Sequence, residues 1–265
     1  MPSDAHELPD GRTVKLGRPE PSPENPKDLH LRRFLLPPAE LPPPPEVIDN
    51  TGYVPQGFGM FCNDRFGCCV FASSAHRRLV QSGMIRQDVT ITDIDVLRAY
   101  SAVTGFDPKE PSTDNGAIMV DAANWERRND LCGDRVYAFA RIRIDPRDKE
   151  LLDLATYYLG GVWFGLNLPR TAQKQVGQVW EVVPDMTPGD WGGHAVWSPK
   201  TSPDCREVVT WAKLQRCTHE WIGVVADEAW AILPGCWEQN DPFSALDWPA
   251  LEGAIAQFGP VDPER

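Results

Sequence analysis

From Cys69 onward the apolar positions Phe71, Ala72, Ala75 and Leu79 recur at helical spacing until Gly83. That pattern predicts a helix over 69–82 with a buried face, starting at a pair of adjacent cysteines. Ile94, Leu97 and Ala102 behind a capping Thr92 predict a second helix over 92–103, and a third is expected over 116–128. Further along, the period changes. The even positions of "VYAFARIRI" (136–144) are apolar, "GVWFGLNL" (161–168) is short, apolar and aromatic, and "HAVWS" and "REVVTWAKL" read as further strands. "DKELLDLATYYLG" places a helix between the first two strands. Helices first and an antiparallel sheet afterwards predict an α+β architecture, with two halves facing one another across a cleft. No internal repeat is visible.

The ends of the chain read differently. Residues 1–45 hold 12 of the 26 prolines, and proline lacks the N–H that a helix interior or central strand requires. This segment is either an extended arm lying on the domain or a partly disordered tail. The domain itself is expected over 46–265. Within it, residues 236–265 form either a closing helix or a partner-binding tail, with "SALDWPALEGAIAQF" helical behind a capping Ser244.

Composition narrows the function classes. A chain of 265 residues with 42% hydrophobic and 24% charged residues can bury a substantial core. A net charge of −12 argues against binding nucleic acid, despite a local basic patch at Arg141, Arg143 and Arg147. No apolar run approaches the roughly 18 residues of a membrane span, and the N-terminus lacks a basic start and an apolar core. Neither a membrane role nor export is expected. Seven scattered cysteines, an odd number, read as free thiols in a reducing compartment, so the expected location is cytoplasmic or virion-associated.

Several candidate motifs fall away. Cys62, Cys69 and His76 are spaced by sevens, unlike the tight Cys-x2-4-Cys pairs of structural zinc, and no metal is expected. "LGGVWFG" lacks the lysine of a phosphate loop. Asp227 and Glu228 read as a solvated edge.

The double cysteine carries the chemistry. A thiol attacks as thiolate, which the unpaired N–H groups of a helix N-terminus favour, and Cys69 stands at that position. His76 lies on the same helix face but about 10 Å further along the axis, out of reach as a base. His6 and His30 fall in the arm, and His219 sits in a polar segment. His194, in "DWGGHAVWS", starts an apolar strand after two glycines. A histidine at that place is either structural or a base.

"NDRFGCCVFAS" (63–73) resembles the active-site segment of papain-like cysteine proteases. "GGHAV" (192–196) is similar to that family's histidine segment, and "VVTWAKL" (208–214) to the later one in which an asparagine precedes a tryptophan. "LGGVWFGLNL" resembles the intervening strand, and "LPPPPEVIDNTGYVP" the start of the mature domain. The likeness spans roughly 45–235. It implies a helical half, led by the active-site helix, packed against an antiparallel sheet half. It further implies Cys69 as nucleophile, His194 as base, and Asn63 with the Cys69 N–H as oxyanion donors. Gly67, Gly193 and Trp211 fall at substrate-binding positions, Trp211 covering His194. Asn63 replaces the family's glutamine. Val209 stands where the orienting asparagine is expected, leaving Thr210 beside it as the available acceptor.

Two functions follow from the resemblance. The first is a cysteine peptidase or amidohydrolase that cleaves a peptide or related amide bond through an acyl-enzyme, needing no cofactor. Its partner would be a peptide or protein substrate, with the proline-rich arm as an inhibitory or docking segment. The second is a papain-like component of an actinobacterium or its phage that binds without turnover, using the arm or the C-terminal tail to meet an assembly or host protein. Val209 favours the second function. Thr210, with Asn63, Cys69 and His194 together, favours the first.

Overall fold

A computed structural model describes residues 5–257 apart from 26, 38, 145–148 and 239–240. The first long helix, α1 (Cys69–Met84), is buried from Cys69 through Ser82. Burial on all sides forces its polar side chains to find partners inside the protein. Gln81 donates to the carbonyls of Leu159 and Ile232 at 2.9 and 2.7 Å, and Arg77 pairs with Glu126. α2 (Asp93–Thr104) opens on a capping box of Thr92 and Asp95 and stops at a left-handed Gly105. Glu126 belongs to α3 (Met119–Arg128), which starts later than predicted. The delay comes at Gly116, whose backbone is left-handed with φ 76°, and at Ala117, whose N–H is tied to the carbonyl of Gly17.

The remaining elements build one sheet and its cover. The strands are β3 (Ile48–Asp49), β4 (Val136–Arg141), β5 (Val162–Leu168), β6 (Val179–Trp180), β7 (Gly192–Thr201), β8 (Cys205–Thr210), β9 (Lys213–Thr218) and β10 (Ala226–Pro234). Their order is β4-β10-β5-β7-β8-β9-β6, with β3 added on β7. Every pairing is antiparallel except the short β6–β9 contact, which is parallel. Both faces are covered. Trp163, Ala195 and Trp197 point into a core shared with α1–α3, while the alternate residues Val162, Phe164 and Val196 point to the other side. There they meet α4 (Glu150–Leu159), α5 (Arg170–Lys174), α6 (His219–Val225) and the N-terminal arm.

That arm is ordered on the domain. A hairpin of β1 (Ala5–Glu7) and β2 (Thr13–Lys15) opens it, and Leu8, Val14, Leu16, Leu31, Phe34 and Leu41 are buried in the core. At the other end, α7 (Trp248–Gln257) closes the described chain. Its first turn is held by Asp247, whose carboxylate accepts from the Ala250 N–H at 3.0 Å, so the expected capping role of Ser244 passes to Asp247. Among the described residues, no helix is long and apolar enough to cross a membrane. None of their His, Cys, Asp and Glu side chains cluster in threes to hold a metal ion.

"REVVTWAKL" is two strands rather than one. Thr210 pairs with Lys213 across a two-residue turn, and Trp211 and Ala212 both have positive φ, 46° and 64°. This is the turn geometry that normally selects Asn-Gly, and a non-glycine residue in it carries strain of about 1–3 kcal/mol. Ala212→Gly is therefore expected to stabilise the fold by about 1 kcal/mol after allowing for the entropy of an added glycine. Thermal melts should register a rise of about 2–4 °C.

Candidate active site

Cys69 is the first residue of α1, following Cys68. Adjacent positions on a helix point about 100° apart, and the two thiols have different surroundings. Cys68 is fully buried and donates to the Phe61 carbonyl at 3.3 Å. The Ala195 N–H, the charge of Arg18 and the N–H groups of Gly17 and Val70 favour the Cys69 anion. Burial nevertheless outweighs them and pushes the Cys69 thiol up to about 11. The helix N-terminus alone had suggested a lowered value. The difference arises because the arm covers the sulfur and removes its water.

His194 enters from β7, next to Ala195. Its Nε2 meets Thr210 Oγ1 at 2.8 Å, and the Trp211 ring stacks on the imidazole at 4.8 Å and 25°. Its Nδ1 is buried and has no hydrogen-bond partner. If Nε2–H donates to the threonine, Nδ1 is left as a free base nitrogen. Burial, then the charge of Arg18, push the imidazole down to about 3. Thr210 can reach the ring because it is the last residue of β8, just before the strained turn. Val209 beside it is buried and paired with Trp197 and Leu214.

For a peptidase assayed with the N-terminal arm displaced, Thr210→Val should lower kcat about tenfold, the worth of one buried hydrogen bond in the transition state. Thr210→Ser should restore most of it, because the hydroxyl and not the methyl meets the ring. A shift in the alkaline or acid limb of the pH–rate profile, absent in the serine variant, would separate loss of imidazole positioning from a general loss of stability.

Asn63 is buried, and its Nδ2 donates to the carbonyls of Lys15 and Phe66 at 3.2 and 3.0 Å. The amide expected to meet an oxyanion is thus engaged by the arm. The Gly67 N–H donates to Asp114 Oδ1 at 2.9 Å, and the Gly193 carbonyl accepts from the Arg18 N–H at 3.1 Å. The other histidines stand elsewhere. His76 is packed between Phe58 and Phe61 with Nε2 on the Gly59 carbonyl, His219 bonds the Ser202 carbonyl, His30 meets Glu24 and His6 lies against Trp191.

What the sequence did not reveal is that Lys15, Leu16, Gly17 and Arg18 run through the cleft over these residues. Lys15 N–H donates to the Asn63 carbonyl and the Gly17 carbonyl accepts from Ala117 N–H, at 3.1 and 2.9 Å. The Lys15 ammonium pairs with Asp114 at 3.0 Å. The slot is so narrow that a Cβ on Gly17 would lie 1.9 Å from the Gly67 carbonyl oxygen, and one on Gly193 would lie 2.0 Å from that of Arg18. Only glycine fits at either position. Four glycines at 17, 67, 116 and 193 are the only sequence signal of this crossing, and nothing in their spacing shows that they converge.

The charged pair at the end of the domain also needs correction. Asp227 and Glu228 are not a solvated edge: Glu228 is 2% exposed, and both carboxylates grip the Arg18 guanidinium. An alternating strand would have sent them to opposite faces.

Comparison with solved structures identifies the fold. No protein-family model matches the chain, and no curated protein sequence does. Among solved structures, xylellain, a cysteine protease from Xylella fastidiosa, aligns with a TM-score of 0.60 at 14% identity, covering 84% of this chain and 97% of that one. A structure from work on the mite allergens Blo t 1 and Der p 1 aligns at 12% identity over 71% of each chain, with a TM-score of 0.47. The fold is the papain-like α+β fold of cysteine proteases.

Proposed function

We propose that the chain is a cysteine peptidase held in a latent form by its own N-terminal arm. The observation that carries this reading is an extended peptide strand already lying across Cys69 and His194, bonded through its main chain to Asn63, Ala117 and Gly193. A cleft that recognises backbone groups on both sides of a candidate nucleophile is suited to a polypeptide substrate. The arm meets the sulfur through the Gly17 N–H, which favours the Cys69 anion.

With the arm withdrawn, His194 Nδ1 takes the Cys69 proton and the thiolate adds to the substrate carbonyl. Asn63 Nδ2, released from Lys15, and the Cys69 N–H hold the oxyanion. The imidazolium then protonates the departing amine, and water, deprotonated by the same nitrogen, cleaves the thioester. Thr210 and Trp211 hold the ring throughout. The competing reading, a binding component without turnover, draws on Val209 and on His194 Nδ1, which has no hydrogen-bond partner and so does not bond Cys69 in the arm-filled cleft.

Alkylation of the full chain carrying Gly17→Val, a change that cannot be seated in the slot, distinguishes the two. Iodoacetamide should label Cys69 selectively from pH 8 down to about pH 6, and His194→Ala should abolish that selectivity. If Cys69 reacts no faster than the partly exposed Cys132 and Cys236, whatever stands at 194, the peptidase reading is wrong.

A further inference from the structure

Arg18 does more than cross the cleft. Its main-chain N–H is fixed to Gly193, one residue before His194, and its side chain, wholly inaccessible to solvent, descends into a pocket between β5 and β10. One guanidinium nitrogen donates to Glu228 Oε1 at 3.0 Å. Another donates to Asp227 Oδ2 at 2.8 Å and to Asn167 Oδ1 at 3.1 Å.

The pocket depends on an irregularity in the sheet. β10 pairs with β5 with Glu228 opposite Gly165, and the register shifts between Ala226 and Glu228. Successive residues of a regular strand face opposite sides, whereas a bulge re-aims one of them. Here the bulge lets adjacent carboxylates converge on one cation. Gly165 clears the floor, since a Cβ there would lie 3.0 Å from the guanidinium carbon and 2.6 Å from Glu228 Cγ. The second Glu228 oxygen is held by Trp230 Nε1 at 2.9 Å, and Asn167 Nδ2 steadies Asp227 at 3.0 Å. The acceptors are therefore braced by neighbours other than Arg18.

We infer that this pocket is a recognition site for an arginine side chain of the polypeptide substrate, filled in the latent form by Arg18. The inference deepens the peptidase reading and rests on it for the ligand being a peptide. When the arm leaves, a buried carboxylate and its neighbour lose their counter-charge, which strongly favours replacement by another cation. Three acceptors arranged around two nitrogens of a planar fork suit guanidinium better than the compact ammonium of lysine. The mouth of the pocket, at Gly193, sets the bound arginine beside the reacting centre.

Binding tests the pocket independently of turnover. The full chain carrying Gly17→Val, Arg18→Ala and Cys69→Ala is titrated with a fluorescent peptide of residues 12–20, bearing at its Arg18 position arginine, citrulline, lysine or leucine. The arginine peptide should bind at least tenfold tighter than the isosteric citrulline peptide, with lysine between them. Adding Glu228→Gln to the protein should erase most of that ratio. In parallel, a peptide library is digested with the Gly17→Val, Arg18→Ala chain that keeps Cys69, and the cuts are mapped by mass spectrometry. Arginine enriched at one fixed position from the cut supports the assignment. Equal binding of arginine and citrulline overturns it, as does cleavage with no arginine enrichment. Arginine-selective binding without any cleavage would keep the pocket and overturn the peptidase. The citrulline comparison changes only the peptide, so it decides the matter even if the Glu228 variant does not fold.

Discussion

Cys69→Ala, made in the Gly17→Val chain, is expected to lower peptide hydrolysis by roughly 10⁴- to 10⁶-fold, the scale of losing a covalent nucleophile. Cys68→Ala should leave the rate nearly unchanged. The two residues are chemically identical and adjacent, so the prediction rests on environment alone. Cys68 is sealed in the core with its S–H on the Phe61 carbonyl, and burial, together with the neighbouring Cys69, raises its thiol well above the ordinary range. Cys69 instead faces Ala195 of β7 and the cleft. Release of fluorophore from a mixed peptide substrate, followed for both variants, reads the difference directly. Equal loss in the two variants, or retention in both, would remove Cys69 from the mechanism.

Gly17→Val is the second change with a large expected effect. With the arm seated, a Cys69 thiol at about 11 leaves only about one molecule in 3,000 as thiolate at pH 7.5, against about one in ten for an ordinary cysteine. The resulting gain of about 300-fold in thiolate is partly offset, because a less basic thiolate is a weaker nucleophile. Allowing for that leaves about 20-fold in the rate of alkylation. Access adds to this figure, since Cys69 is 1% exposed in the arm-filled form. The substitution touches neither Cys69 nor His194 side chains. It acts by setting a side chain where 1.9 Å separates the ideal Cβ from the Gly67 oxygen, a separation no relaxation of a backbone wall readily accommodates. An unchanged alkylation rate in a folded Gly17→Val protein would show that the arm does not guard the sulfur. Lower stability in the same variant is expected too, because displacing the arm exposes part of the apolar surface that Val14 and Leu16 bury.

The helices and most strands were legible in the chain because each is written in local spacing. Cys69 at the start of a helix followed from the apolar period, although the helix runs on through Gly83 to Met84. β4 followed from its alternation, and the start of α2 from the capping Thr92. His194 and Thr210 were found as single residues, by resemblance and by elimination of the other histidines, and the structure brings them within 2.8 Å of one another. The strand break at Trp211–Ala212 was not legible, because neither residue ordinarily adopts positive φ and the usual Asn-Gly signal is missing.

Local spacing says nothing about which distant segments share a space, and the contents of the cleft depend on that alone. Gly17, Gly67, Gly116 and Gly193 are ordinary glycines until the fold stacks their backbones within van der Waals contact. Asp227 and Glu228 read as a solvated edge beside an apolar stripe, and only a bulge against Gly165 turns both toward a guanidinium 209 and 210 residues away in sequence. The basicity of the candidate pair depends on the same long-range packing. A helix N-terminus can be recognised from a few residues, but the desolvation that opposes it comes from an arm folded back over the site. The chain's own order therefore specified the scaffold and the reactive residue types, while the tertiary contacts set whether those residues are exposed, charged and free to react.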